Sequence, residues 1–416
     1  MTTKQLSLHH VVLTCARYPA IDNHAHPLLS ASKRSALPFE GLVSEASGRA
    51  LDDAVHTLAC YRATCELAQL YGIQGDHPRE VAWDEIKRVR EGMDYQKLCK
   101  LCFEPAKIYC LLLDDGLGGV EEMAEGYQWH DQFTSSPTKR IVRVEVVAQE
   151  ILQSLFSSLP EALPSDVVNI FCLELVRRIE QQAQAKDVVG FKSIVCYRTG
   201  MNVSMSCTHI ELEKALDAVY QAYRSEPTTP IRLAEKVVND FVVRTTLELA
   251  GKYKKPVQFH TGLGDSDITL GLSSPSHLQP IMKEYPNTPI VLLHSSYPYT
   301  RDAGYLAAVY KNVYLDFGEI FPFLSRSGQE SVVRQMLELA PTNKIMWSTD
   351  GHWWPESFYL GSIQARSVLG EVLSECSKRG SMSYLRAIEI AKDILFNNAN
   401  RIYNLGLQAP DIDLYE

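Results

Sequence analysis

The feature that most constrains this chain is a recurrence. Eight short apolar runs, "PAIDNHAH", "KIYCLLLDDG", "IVRVEVVA", "VVGFKSIVCYR", "PVQFHTGLG", "PIVLLHSS", "VYLDFGE" and "IMWSTDG", are each followed by a polar or glycine-bearing turn. They are rich in β-branched residues and too short for most helices, so they read as strands. Between them lie stretches with apolar residues at helical spacing, such as 164–186, 230–251, 276–285, 300–310 and 328–340. Strands that alternate with helices form parallel sheets, because a parallel pairing needs a crossover connection. Eight of them predict an α/β fold of the closed (β/α)8 barrel type. A doubly wound open sheet uses the same alternation and remains the alternative.

A barrel of this type takes ~250 residues, and the chain has 416. The excess lies mainly between the first two strands. Residues 40–104, including "SEASGRALDDAVHTLACYRATCELAQLYG", carry apolar residues at helical spacing. The expectation is one domain, 1–416, with a helical insertion over the barrel mouth. The insertion could be a lid, an oligomer contact or a cover for core.

Composition narrows the partners. A formal charge of -9 and the absence of a polybasic run argue against nucleic acid and anionic membranes. No run reaches the ~18 to 20 apolar residues of a membrane span. His9 and His10 interrupt the apolar start, which speaks against a signal peptide. The ten cysteines sit mostly in apolar runs and read as reduced, buried thiols of a cytoplasmic protein. Cys99 and Cys102 form a C-x-x-C with no second pair, a weak signal for metal or redox chemistry.

Chemistry concentrates at strand ends. His24 and His26 in "IDNHAHPLL" are two residues apart, so along a strand they face the same way. Two imidazoles on one face make a natural chelate. Lys192 lies in "GFKSIVCYR", His260 ends "PVQFH", His294 ends "PIVLLH" and Asp350 ends "IMWSTD". In a barrel the carboxyl ends of the strands form the active-site face. Titratable groups on so many of them do not look independent.

This pattern of H-x-H on the first strand, Lys on the fourth, His on the fifth and sixth and Asp on the eighth resembles the amidohydrolase superfamily. Longer strings, "LPFEGLVSEASGRAL", "VVGFKSIVCYRTGM", "VQFHTGLGDSD", "LLHSSYPYTRDAGYLA", "WSTDGHWWPE" and "FNNANRIYNL", resemble its amidohydrolase 2 branch, in particular the amidohydrolase-like part of fungal FluG-type and nodulin/glutamine-synthetase-like proteins. Those fusions carry a glutamine-synthetase-like domain after the hydrolase-like part. None is expected in this chain, which reads as a stand-alone relative or a piece of a larger fusion.

The resemblance implies a divalent metal, zinc first and manganese second, held by His24, His26, His260 and Asp350. Asp350 would act as general base and then acid. His294 would stabilise an oxyanion, or bind a second ion. Lys192 would bridge two ions as a carbamate, or bind a substrate carboxylate as an ammonium; a plain rim lysine is the bland alternative. Around this core, Arg198 shares strand parity with Lys192 if the strand runs that far, and could clamp a carboxylate. Asp114 and Asp115 could read an amine or cap a helix. Arg143 and Glu145 read as an ion pair buried on the third strand. His352, Trp353 and Trp354 could wall a pocket or simply pack. His9, His10, His56, His77, His130, His209 and His277 receive no role. The leading function is a metal-dependent hydrolase of a C–N amide bond in a small molecule, such as a γ-glutamyl amide or amino-acid conjugate. The alternatives are a non-oxidative decarboxylase of an aromatic or related acid, and a non-catalytic binding protein. Self-association is left open, with the helical insertion as its surface.

Overall fold

The computed structural model describes residues 6–73, 81–158 and 164–412; His77 lies outside them. Eight strands are present: β1 Ala20–Ala25, β2 Ile108–Asp114, β3 Lys139–Arg143, β4 Val188–Ser193, β5 Val257–Phe259, β6 Ile290–Leu292, β7 Val313–Asp316 and β8 Ile345–Met346. They belong to one sheet in the order β1-β2-β3-β4-β5-β6-β7-β8. β1 and β4 are buried along their whole length, as expected of strands covered on both faces. Beyond β8 the chain runs back along β1: Asn23 N–H donates to Trp347 O (3.3 Å) and Asp350 N–H to His24 O (3.0 Å). Sequential order with the last strand on the first is the (β/α)8 barrel, not a doubly wound sheet, whose order reverses midway.

The chain divides into two compact units, residues 1–139 with 315–416, and residues 140–314. In the first, β1 pairs in parallel with β2, and β7 with β8. Among the described residues between β1 and β2 lie two 3₁₀ segments, Phe39–Leu42 and Gly48–His56, and three helices, Leu58–Leu70, Trp83–Glu91 and Tyr95–Ala106. The expected helical insertion is there. Thr57 caps the first of these helices by accepting Cys60 N–H (3.1 Å), and Asp94 caps the third by accepting Lys97 N–H (3.0 Å). Their apolar faces bury Leu42, Ala63, Leu67, Ile86 and Leu98 in a cluster that also takes in Trp354, Tyr359 and Leu360. Phe39 stacks on Trp83 with ring centroids 5.1 Å apart, and meets Trp354 edge-on at 5.4 Å. A buried ion pair crosses the same interface. Arg90 Nε donates to Glu356 Oε1 (2.6 Å), which also accepts the Tyr71 hydroxyl (2.7 Å). The insertion is thus fastened to the start of the helix Pro355–Lys378, a few residues after Asp350.

In the second unit, β3 to β6 pair in parallel, with Lys192 registered between Arg143 and Gln258. Two sequence-based expectations fail here. The run "IVRVEVVA" is not one strand: β3 ends at Arg143 and a helix spans Val144–Ser158. Val144, Val147, Ala148, Ile151, Leu152 and Leu155 are buried at helical spacing, so the helical period prevails over the β-branched start. Glu145 therefore lies on a helix and is not a strand partner of Arg143. Its carboxylate accepts the Ser193 hydroxyl (2.6 Å) and Ile194 N–H (3.0 Å), closing the end of β4. The second failure follows from the first. Past Ser193 the chain turns into a short helix, Val195–Arg198, so Arg198 does not share strand parity with Lys192.

Candidate metal centre

The two histidines of "NHAH" stand where β1 ends. His24 Nε2 lies 3.2 Å from Asp350 Oδ1, and His26 Nε2 lies 3.4 Å from the same oxygen. All three side chains are buried, and one donor atom from each falls within a 4.8 Å group. Their arrangement is enforced from behind. His26 Nδ1–H donates to Asp114 O (2.9 Å), which leaves Nε2 facing the cluster. His26 N–H donates to Gly351 O (2.7 Å), so the loop after β8 is locked to the end of β1. Asp350 is held at φ 52°, in the left-handed region. The His352 ring donates Nδ1–H to Asp350 O (2.8 Å) and supports that backbone. Burial pushes the His352 imidazole below its ordinary pKa, against this hydrogen bond and the Asp350 charge, which raise it.

Beneath the cluster runs a buried polar network. Asn23 donates to Asp316 (2.7 Å) and accepts from the Tyr403 hydroxyl (3.1 Å). Asp22 accepts Thr349 N–H (2.9 Å) and the Thr349 hydroxyl. Burial, with the nearby Asp316 carboxylate acting in the same direction and the Thr349 hydrogen bonds against it, pushes the Asp22 carboxyl up to about 8. Two imidazole nitrogens and a carboxylate oxygen, converging in a buried site with one ring oriented by a carbonyl, fit a divalent metal ion.

The second unit holds His260 and His294, with ring centroids 4.4 Å apart. The His260 ring also packs on Tyr197 at 4.3 Å, and its Nε2–H donates to Leu263 O (2.7 Å). His294 opens a left-handed turn: His294, Ser295 and Ser296 have φ of 63°, 55° and 49°. Lys192, at the end of β4, is 1% exposed. An ammonium there is costly to desolvate. Arg198 is half-buried, with its guanidinium drawn below the usual range by burial and by the charges of Arg232 and Arg143. Asp115 is half-buried just past β2, and Asp114 accepts Gly116 N–H (3.0 Å), shaping the turn. Trp353 sits beneath the insertion, its ring against His352 and Trp354 and its buried Nε1 without an acceptor among the described residues. The sequence reading missed Glu319. It is buried just past β7 with φ 61°, and the strand-end rule applied to "VYLDFGE" points to it.

Barrel, strand-end histidines and terminal aspartate are the features that the resemblance to the amidohydrolase superfamily implies. Residues 211–405 match the family described as Amidohydrolase. More particularly, the chain is 41% identical over 428 residues to Protein fluG of Emericella nidulans, across 98% of its own length and 48% of that protein. It thus spans about half the length of this curated relative. Among solved structures it is similar to a protein of Lactobacillus casei ATCC 334 described as a candidate metal-dependent hydrolase, with TM-score 0.78, 23% identity and 95% and 97% of the two chains covered. A uronate isomerase of Bacillus halodurans C-125 aligns with TM-score 0.64, 13% identity and 95% and 96% coverage. At these identities the two structures speak for the fold alone. No helix among the described residues is long and apolar enough to cross a membrane.

Proposed function

We propose that the protein is a metal-dependent hydrolase of a C–N amide bond in a small, carboxylate-bearing molecule, a γ-glutamyl amide being the leading case. The observation that carries this reading is the convergence of His24 Nε2 and His26 Nε2 on one oxygen of Asp350 in a buried pocket. In this reading His24, His26 and Asp350 hold zinc, or manganese in second place, and His260, His294 and Lys192 are the metal candidates of the second unit. A divalent ion there supplies Lewis-acid polarisation of the scissile carbonyl and makes water acidic enough to attack near neutral pH. Asp350 takes the proton of the attacking water and delivers it to the departing nitrogen, the two transfers an amide needs. His294 donates to the oxygen on which negative charge builds. Arg198 takes the substrate carboxylate. The ten free cysteines suit a reducing compartment, and cytoplasm is the proposed location.

Elemental mass spectrometry of protein purified without chelator tests the reading. Zinc or manganese bound to the wild type, and lost in a His24→Ala/His26→Ala variant, is expected. Two equivalents per chain would support carbamylated Lys192. One equivalent, with turnover of aromatic carboxylic acids and of no amide, would replace hydrolysis by decarboxylation. Asp350→Asn is expected to abolish amide turnover, and normal turnover in that variant would refute the mechanism.

A further inference from the structure

The N-terminal helix Leu8–Arg17 buries only part of its apolar surface. Val11, Thr14 and Cys15 are covered. Leu8, Val12 and Ala16 recur every fourth residue and form a second stripe, on which Val12 is 45% exposed. The helix crosses the helix Pro355–Lys378 at Gly370, where a Cβ would stand 3.4 Å from Cys15 Cβ and 3.7 Å from Val12 Cα. Beside this close crossing lies a cavity of about 680 Å³. Its walls are the stripe Leu8, Val12 and Ala16, Pro105, and one side of the long helix from Ile363 to Lys378. That volume is typical of small-molecule sites, which take roughly 300–1,000 Å³. The whole cavity belongs to the first compact unit.

The polar groups along this cavity are matched except at one end. Arg366 donates to Ser362 Oγ (2.9 Å), Cys15 O (2.9 Å), Tyr18 O (2.7 Å) and Lys107 O (3.2 Å), so its guanidinium is held by the main chain around it. Glu371 pairs with Arg326, and Glu375 with both Arg334 and Arg379. The Ser367 hydroxyl accepts from Arg326 (2.8 Å). Two groups remain. Ser374 is 5% exposed, and its hydroxyl has no hydrogen-bond partner among the described residues. Lys378 stands one helical turn further along the same wall and enters no ion pair among the described residues. A buried hydroxyl left without a partner is costly. A hydroxyl donor and an ammonium one turn apart offer an anionic head group one neutral and one charge-assisted hydrogen bond. Glu375 stands between them in the chain, but two arginines already hold its charge.

We propose that this cavity binds a long-chain carboxylate, its head group on the Ser374 hydroxyl and the Lys378 ammonium and its alkyl chain along Leu8, Val12 and Ala16 toward Ile363. The two helices run in opposite directions, because Arg366 meets the carbonyls of Cys15 and Tyr18 while Gly370 meets Val12. Ala16 therefore lies toward Ile363, and Leu8 toward the polar end. From Ile363 to Lys378 the wall is about 22 Å long at the rise of an α-helix. A head-and-tail ligand suits a wall that is apolar over most of its length and polar at one end. A peptide would bring N–H and C=O groups that this apolar stripe cannot satisfy. The cavity shares no residue with the trio His24, His26 and Asp350, so the proposal does not depend on the hydrolase reading.

Calorimetric titration of the purified full chain with laurate, kept below its micelle concentration, tests this. The wild type is expected to bind one laurate per chain. It should bind 1-dodecanol, which lacks the charge, and butyrate, which lacks the chain, at least about tenfold more weakly. Lys378→Gln and Ser374→Ala are each expected to weaken laurate at least about fivefold and to leave dodecanol within about twofold. Val12→Glu sets a carboxylate against the alkyl chain and is expected to weaken laurate and dodecanol together. Lys378 and Val12 are exposed, so those two variants keep the test decisive even where Ser374→Ala does not fold. No saturable binding of laurate, equal binding of laurate and dodecanol, or laurate binding unchanged in Lys378→Gln or Val12→Glu would overturn the proposal. So would a wild type that self-associates, becomes monomeric as Val12→Glu and takes up no laurate, since the groove would then belong to a second copy of the chain.

Discussion

At the scale of the residue, the turn His294–Ser296 is the most costly piece of backbone near the proposed chemistry. Three successive non-glycine residues in the left-handed region cost ~1–2 kcal/mol each. Ser295 is 3% exposed and its hydroxyl has no partner among the described residues. Ser295→Gly is therefore expected to raise the unfolding free energy by about 1 kcal/mol in urea denaturation, after the entropy glycine adds to the unfolded chain. Turnover is expected to fall, because the strained turn aims the His294 ring. A variant that gains stability and keeps full turnover would remove the turn from any catalytic role. His130 supplies a prediction of another kind. Its Nε2 accepts Leu28 N–H (3.0 Å), and burial pushes the imidazole down to about 4. A depressed histidine stabilises the fold above its unfolded pKa of ~6.5, and that stability is lost as pH falls toward 4. The loss comes to ~3 kcal/mol by the pKa difference. His130→Gln should flatten the dependence of stability on pH across that window, and an unchanged slope would show that His130 titrates normally.

At the scale of the element, the insertion depends on one buried ion pair. Arg90 is 3% exposed and Glu356 is fully buried. Arg90→Met leaves the carboxylate without its cation and is expected to cost ~3–5 kcal/mol. Replacing both, as Arg90→Met/Glu356→Gln, should recover part of that loss. Hydrogen exchange in residues 39–106 would report the loosening, and faster exchange confined to other segments would contradict this role. Elements also show where the sequence was readable. His24 and His26 were legible because an H-x-H closes an apolar run, even though the β1–β2 register shifts between Asp22 and Ala25 and His26 lies just past β1, and Asp350 because it ends an apolar run. Arg198 was misplaced because nothing in "KSIVCYR" marks the turn after Ser193; the group that closes that strand is Glu145, far away in the chain. The third strand was drawn too long because Val144 and Val147 suit a strand and a helix alike. The polar network of Asp22, Asn23, Asp316 and Tyr403 had no local signal, since its members meet only after folding.

At the scale of the whole molecule, the first compact unit is discontinuous, built from residues 1–139 and 315–416 around the inserted residues 140–314. Its two segments are joined through the backbone bonds between β1 and the segment after β8 and through the cluster of His24, His26 and Asp350. A metal held there binds the folded chain and not the unfolded one. Free zinc at 100 times its dissociation constant is then expected to stabilise the protein by ~2.7 kcal/mol. Thermal scans with and without chelator should show this shift, and His24→Ala/His26→Ala should abolish it. A shift that persisted in the double variant would put the ion elsewhere.

The backbone bonds between β1 and the segment after β8 have a further consequence in time. Thr349 and Asp22, 327 positions apart, must meet before Asp350 can face the two histidines. On a ribosome adding ~5–20 residues per second, the histidines emerge early and wait for the aspartate. A nascent chain, or a fragment cut short before β8, displays both imidazoles but lacks the carboxylate that completes the trio. Metal held by all three side chains would therefore follow the synthesis of β8, and a tightly held ion would mark a chain that has been made through that strand.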